Sequence, residues 1–210
     1  MNLYRTIFSV LFVLLFCGCS DEVDYGVGEY RVDWVEVHSG SLFSLLDNQG
    51  TLLSSNNFIR GLDEGDLAIL NYTPIKQTAD GYTIAINGAV LVQKFPITLQ
   101  DRVSPDLNDD SITLESCWIG RNYLNISCYI DVYKANPTVI LVYQGVDDDN
   151  TTHHFSYQHS KNEDQKGSRA KTHLSFDLSQ VMGEPRGDKM VLVTFKTGEP
   201  DQKKTVELEY

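Results

Sequence analysis

Cys19 has the most specific chemistry in the chain. It closes the run Phe16-Cys17-Gly18-Cys19, which follows Arg5 and an apolar stretch from Ile7 to Phe16. A positive start, a short apolar core and a small residue at the cut are the parts of an export signal. The apolar stretch is too short to span a bilayer as a helix. Residues 1–18 therefore read as a lipoprotein signal peptide. Cys19 would become the mature N-terminus, and its thiol would accept a diacylglycerol. Cys17 is the rival acceptor, disfavoured by the bulk of Phe16 before it. An ordinary signal peptide with an incidental cysteine is the plainer alternative. Each buried CH₂ contributes roughly 0.8 kcal/mol, so several acyl chains hold a protein firmly where one does not. Ser20, Asp21 and Glu22, with Asp24 close behind, resemble the serine-plus-acid signal that sends some lipoproteins to the outer leaflet of the outer membrane. The expected location is thus the outer membrane, lipid-anchored and facing the cell surface. The alternative is that residues 19–28 are only a solvated acidic tether.

Other reactive side chains follow further along. Cys117 and Cys128 flank a hairpin around Arg121-Asn122-Tyr123-Leu124, and outside a reducing cytosol two thiols can pair. A turn centred between Asn122 and Tyr123 would set them opposite each other, so a disulfide is a candidate; two buried free thiols are the alternative. Ser111, in Asp110-Ser111-Ile112, resembles an O-glycosylation acceptor of exported bacterial proteins. The outward residues of the strand after the hairpin are Asn125, Ser127, Tyr129, Asp131 and Tyr133. Of these, Tyr129, Asp131 and Tyr133 form a candidate face for protein or glycan, against the plainer reading of a solvated sheet face.

Metal chemistry fits poorly. His153 and His154 are adjacent, so on a strand they point to opposite faces and cannot share one ion without a bulge. The run from Asp147 has Thr152 in its sixth place and Gln158 in its twelfth, where a calcium loop needs Gly and Glu. The run from Asp106 has Cys117 in the twelfth place and fails as well. There is no Gly-x-Ser-x-Gly elbow and no Gly-rich phosphate loop. No catalytic residue, metal or cofactor is assigned.

These residues sit on short alternating runs broken by Gly, Asp and Asn, which read as strands and turns. Tyr30, Val32 and Trp34 alternate with Arg31 and Asp33. Asp47-Asn48-Gln49-Gly50 marks a hairpin turn whose glycine supplies positive φ. Asp80-Gly81 turns the chain again, and Gly88 inside the following strand suggests a bulge. Residues 29–98 fit a small closed barrel of the OB type, and 99–110 read as a linker. Residues 111–210 carry seven strand patterns and fit an immunoglobulin-like two-sheet β-sandwich. Lys161 to Lys171 has only Ala170 as an apolar residue and reads as a loop.

Charge bounds the partners. The whole chain has net charge −12; without its leader, 16 Lys and Arg stand against 29 Asp and Glu, a net of −13. Such a surface repels phosphate backbones, so nucleic acid is disfavoured. Anionic lipid is repelled too, which leaves membrane attachment to the acyl chains.

At this point the chain resembles the NigD-like lipoproteins. The matching pieces are Leu45-Leu46-Asp47-Asn48-Gln49-Gly50, the strand Gly65 to Tyr72, Trp118 to Ile126, and Leu174-Ser175-Phe176-Asp177-Leu178. The resemblance implies a lipoprotein signal, an OB-type barrel and a C-terminal β-sandwich. It also implies a role linked to bacteriocin immunity, and it offers no established catalytic residues. It gives no support to the cysteine pairing. The resulting expectation is a non-enzymatic, lipid-anchored binding or protective protein whose partner is a protein or peptide. An accessory subunit of an outer-membrane complex and an enzyme of unknown reaction are the alternatives.

Overall fold

The computed structural model describes residues 27–47, 49–104, 107, 109–132, 137–160, 168–198 and 202–210. Residues 1–18, read above as a leader, and Cys19 to Glu22 lie outside them, as do Tyr133 and residues 161–167. Among the described residues no helix is long and apolar enough to cross a membrane.

The chain is all-β: an N-terminal OB-like barrel followed by a C-terminal β-sandwich. Strands β1 (Arg31–Ser39), β2 (Leu42–Leu45), β3 (Leu52–Ser55), β4 (Leu67–Thr78) and β5 (Gly81–Phe95) make the barrel. β1 pairs antiparallel with β2 and β4, β2 with β3, and β4 with β5. A parallel pairing of β3 with β5, Leu53 opposite Tyr82, closes the ring in the order β1-β2-β3-β5-β4. Closure removes the open edges that a small sheet would otherwise expose.

The turns follow from local chemistry. Asp47 Oδ1 accepts the N–H groups of Gln49 at 3.1 Å and Gly50 at 2.7 Å, and Gly50 takes φ +65°. At Asp80-Gly81 the β4–β5 turn runs directly against β3: a Cβ on Gly81 would lie 1.9 Å from the Leu52 carbonyl oxygen. The bulge expected near Gly88 is present. Asn71 faces Gly88 and Tyr72 faces Ile86, which leaves Asn87 as the extra residue.

Phase along β1 sets what each face meets. Val35 and Val37 enter the barrel core with Phe43, Leu53, Leu70 and Tyr72. Arg31 and Asp33 share that phase and reach the barrel's open mouth. Trp34 points outward, into a separate small cluster with Leu46, Leu67, Val92 and Trp118.

The sandwich has one sheet of β11 (Ser168–Asp177), β8 (Tyr123–Val132) and β7 (Thr113–Gly120). The other contains β13 (Lys203–Glu209), β12 (Met190–Lys196), β10 (Thr152–Ser160), β9 (Thr138–Val146) and β6 (Ile97–Leu99). A single-turn helix, α1 (Ser179–Met182), covers one end. Leu124, Ile126, Phe155, Phe176, Val193 and Phe195 are fully or almost fully buried between the sheets. Two sequence boundaries shift. Ile97–Leu99, read as the barrel's end and the start of a linker, pair in parallel with Leu141–Tyr143 of β9. Ser168–Lys171, read as loop, pair with Tyr129–Val132 of β8. Ser168–Lys171 pair through the backbone at a sheet end, which needs no apolar side chain, and Ile97-Thr98-Leu99 is too short a run for its alternation to stand out.

The two modules share a strand. The last residues of β5, Gln93–Phe95, pair in parallel with Leu174–Phe176 of β11. Gly81→Ala should therefore cost more than about 2 kcal/mol in urea unfolding, because a side chain there collides with β3 backbone. Gly88→Ala, with nothing within 4 Å of its would-be Cβ, should be near neutral. Equal effects of the two would show that the β3–β5 closure is not held by that close approach.

Candidate functional site

A concavity of about 1020 Å³ opens at the barrel mouth. Glu29, Arg31 and Asp33 line it from the start of β1, Asp47 and Thr51 from the β2–β3 turn, and Gln77, Asp80 and Tyr82 from the β4–β5 turn. The Arg31 guanidinium lies 5.3 Å from the Tyr82 ring centroid, a cation–π distance. Tyr72 donates its hydroxyl hydrogen to Asp33 Oδ2 at 2.8 Å. Burial, and then the Asp33 carboxylate, push the Tyr72 phenol far above its ordinary range, so it stays a donor. Asp47 spends its oxygens on its own turn, accepting from Gln49, Gly50 and Thr51. Glu29, Asp33 and Asp80 are the remaining acids of this rim. Carboxylates, amides and hydroxyls around one guanidinium and one aromatic ring suit recognition by charge and hydrogen bonding. Among the described residues no group of three or more His, Cys, Asp or Glu is gathered to hold a metal.

A second cleft, about 630 Å³, lies between the modules and is lined by Glu36, Arg121, Glu184, Glu209 and Tyr210 among others. Arg121 occupies the β7–β8 turn in the left-handed region, φ +54°. Its guanidinium donates to Glu36 Oε2 at 2.5 Å and Ser44 Oγ at 3.1 Å, both on the barrel. Above this pair, Trp34 meets Trp118 edge to face at 5.7 Å and His173 at 5.6 Å. Gly120 allows this approach, since a Cβ there would meet the Leu46 carbonyl oxygen and the Trp118 ring at 2.3 Å.

Several sequence-designated residues lie elsewhere than expected. The β7–β8 turn centres one residue earlier, and a bulge follows at Glu115. Cys117 therefore faces Ile126 and Cys128 faces Leu114, so the expected opposition of the two cysteines is corrected; both thiols are free. Burial pushes them up, Cys117 to about 12 and Cys128 to about 11, which leaves them as inert thiols at neutral pH. Asn125 and Ser127, expected to face solvent, are buried. The barrel packs over that side of β8, where Ser175 donates to Asn125 Oδ1 at 2.9 Å and Ser127 Oγ lies 2.8 Å from His173 Nδ1. Of the designated face, Tyr129 is half-buried with Arg169 5.8 Å from its ring centroid, and Asp131 is exposed. Ser111 is exposed between two pinned neighbours: Asp110 N donates to His159 O, and Ile112 N to Lys196 O. His153 is buried against Tyr143, and His154 points out to Asp147 at 2.8 Å.

The sequence reading missed the barrel mouth. Its signal was present: Arg31 and Asp33 fall in phase with Val35 and Val37, and charge on the core face of a strand marks a barrel end.

The fold and its clefts define a two-module β protein, an OB-like barrel backed by a sandwich. A family model for the NigD-like C-terminal beta sandwich domain matches residues 96–210, and the chain belongs to that family. No curated protein matches the chain. Among solved structures, a protein of unknown function from Bacteroides vulgatus ATCC 8482 is 18% identical with a TM-score of 0.71, covering 87% of this chain and 91% of that one. A NigD-like immunity protein from Bacteroides caccae ATCC 43185 is 18% identical, TM-score 0.60, covering 87% and 92%. A Bacteroides fragilis NCTC 9343 protein, provisionally named a lipoprotein, is 15% identical, TM-score 0.63, covering 87% and 98%. At these identities the likeness shows the fold.

Two measurements test this geometry. A left-handed residue other than glycine costs roughly 1–2 kcal/mol. Arg121→Gly should thus offset the lost ion pair and stay near wild-type stability, whereas Arg121→Ala should be destabilised by about 1 kcal/mol. Equal stabilities would discount the strained turn. Burial and nearby lysines hold His153 and His173 below the ordinary imidazole range. The unfolded chain then takes up protons near pH 6.5 that the folded chain resists, so stability should fall as pH drops below about 6.5. His173→Asn should flatten that decline; an unchanged slope would clear His173 of any part in it.

Proposed function

We propose that this chain is a non-enzymatic, lipid-anchored envelope protein that binds a protein or peptide at its barrel mouth, in a protective role of the immunity type. The observation that carries the reading is the large rim of carboxylates around Arg31 and Tyr82, on a chain of the NigD-like family. The acids attract a cationic partner, and the one guanidinium and the ring give it a register. The protein of this fold from Bacteroides caccae named for immunity supports the protective reading, and the provisional lipoprotein from Bacteroides fragilis supports the anchor.

The finer placement belongs to the same proposal. Cys19 carries the lipid; Ser20, Asp21 and Glu22 direct the protein to the outer leaflet of the outer membrane. Ser111, exposed at the sandwich's edge, takes an O-linked glycan. Membrane contact is made through the lipid, with no cofactor and no nucleic acid.

Cys19→Ala should move the protein from the envelope fraction to the soluble fraction. Protection is read separately: expression in a bacteriocin-sensitive strain should raise the dose needed to kill. Arg31→Gln combined with Asp80→Asn should cancel that rise with the fold intact by circular dichroism. Killing that is unchanged by the wild-type protein would defeat the protective role.

A further inference from the structure

One outer patch of the barrel, beside Glu36 on β1, carries no charge. Trp34 of β1 faces Ile69 of β4, and Ile69 faces Val90 of β5. One step along, Val32 faces Asn71, and Asn71 faces Gly88. Trp34 packs against Trp118 and His173 of the sandwich, and Ile69 is half-buried in the same cluster. The remainder is open: Tyr30 is 64% exposed, Val32 52% and Val90 58%. Amides brace it. Asn71 Nδ2 donates to the Tyr30 hydroxyl oxygen at 2.8 Å, and Asn87 Nδ2 donates to Asn71 Oδ1 and Thr73 Oγ1, each at 3.2 Å.

Interface centres are poor in charged residues and rich in aromatic ones. In a chain of net charge −12, an uncharged patch is where two copies can meet without setting acid against acid. We propose that this face is a self-contact, by which two copies pack β1, β4 and β5 against the same strands of the other about a two-fold axis.

Two further observations favour a second copy. The contact would extend the stripe of Trp34 and Ile69, half-buried at the module junction, so the apolar surface is continuous with the junction inside the chain. Gly28 also lies beside this face, where its N–H donates to Pro74 O at 2.8 Å. In a two-fold pair both Gly28 residues stand at the rim of one contact, which suits two anchors in one membrane. That last clause rests on the anchoring reading above; the uncharged face does not. A bilayer is a poorer occupant, because Asn71, Asn87 and Thr73 would enter hydrocarbon with spare polar groups unpaired. The patch offers Tyr30, Val32, Asn71, Thr73, Asn87 and Val90 per copy, far fewer than the roughly 20–30 residues of a standard interface, so the association is weak in solution and strengthened by confinement on a membrane.

The test is sedimentation equilibrium of the full-length chain in a density-matched non-ionic detergent over a concentration series. A monomer–dimer equilibrium is expected. It should tighten as salt rises from about 10 mM to about 150 mM, since screening shortens the reach of acid–acid repulsion; a contact built on ion pairs would loosen. Val90→Lys should weaken the dimer at least about tenfold by burying an unpaired charge. An equimolar mixture of Val90→Lys and Val90→Glu should regain association, which misfolded variants would not do. Val146→Lys, at an exposed apolar site on the sandwich, should leave the dimer unchanged. A monomer at every concentration overturns the proposal, as does a Val90→Lys variant that dimerises normally. Monomers that bind neutral phosphatidylcholine vesicles through Val90 would overturn it in favour of lipid. None of these outcomes bears on the anchor, which is read by fractionation of Cys19→Ala.

Discussion

Strand β5 belongs to both halves of the molecule, and that fixes almost everything else. Its first residues close the barrel against β3, and its last three pair with β11 of the sandwich. A strand is rigid along its axis when paired on both sides. The barrel therefore cannot swing on a flexible joint: rotation would break parallel hydrogen bonds between β5 and β11. The clusters around Trp34 and Trp118 then pack where the shared strand holds the surfaces together. Because β5 fixes the angle, a single arginine in a strained turn suffices to cross the gap at Glu36 and Ser44.

This arrangement explains why polar residues are buried on β8. In an isolated sandwich Asn125 and Ser127 would be solvated. Here the barrel covers them, and each has a partner, in Ser175 and in His173. Buried polar groups that are satisfied cost little, yet they tolerate few alternative poses, so the network specifies one docking of barrel on sandwich. The cost is acid sensitivity, since His173 is held where protonation is disfavoured.

Much of the fold was legible in the sequence. Alternation gave the strands, Asp47 to Gly50 and Asp80-Gly81 gave the turns, and Gly88 gave the bulge. These signals are local, written within a few residues of the feature they specify. What could not be read was non-local. The pairing of Ile97–Leu99 with β9 joins positions more than forty residues apart and uses backbone groups that every residue possesses. The hairpin register failed for a related reason. A turn displaced by one residue and a bulge at Glu115 together move Cys128 from Cys117 to Leu114, and no side chain announces either shift. The barrel mouth lay between these cases. Arg31 and Asp33 stood in phase with the core, but their neighbours Gln77, Asp80 and Tyr82 come from another turn and gather only on closure.

Those two surfaces of the barrel divide the available roles by physics. At the mouth, acids around one arginine favour a charged partner at long range, with an encounter rate that falls as salt rises. On the outer face, Tyr30, Val32 and Val90 offer contact without steering. A charged ligand has little to gain on that face, and an uncharged one has little to draw it into the mouth. Both surfaces can thus be occupied at once, because β1 presents Arg31 and Asp33 to one side and Val32 to the other. Strand alternation alone keeps the two contacts from competing.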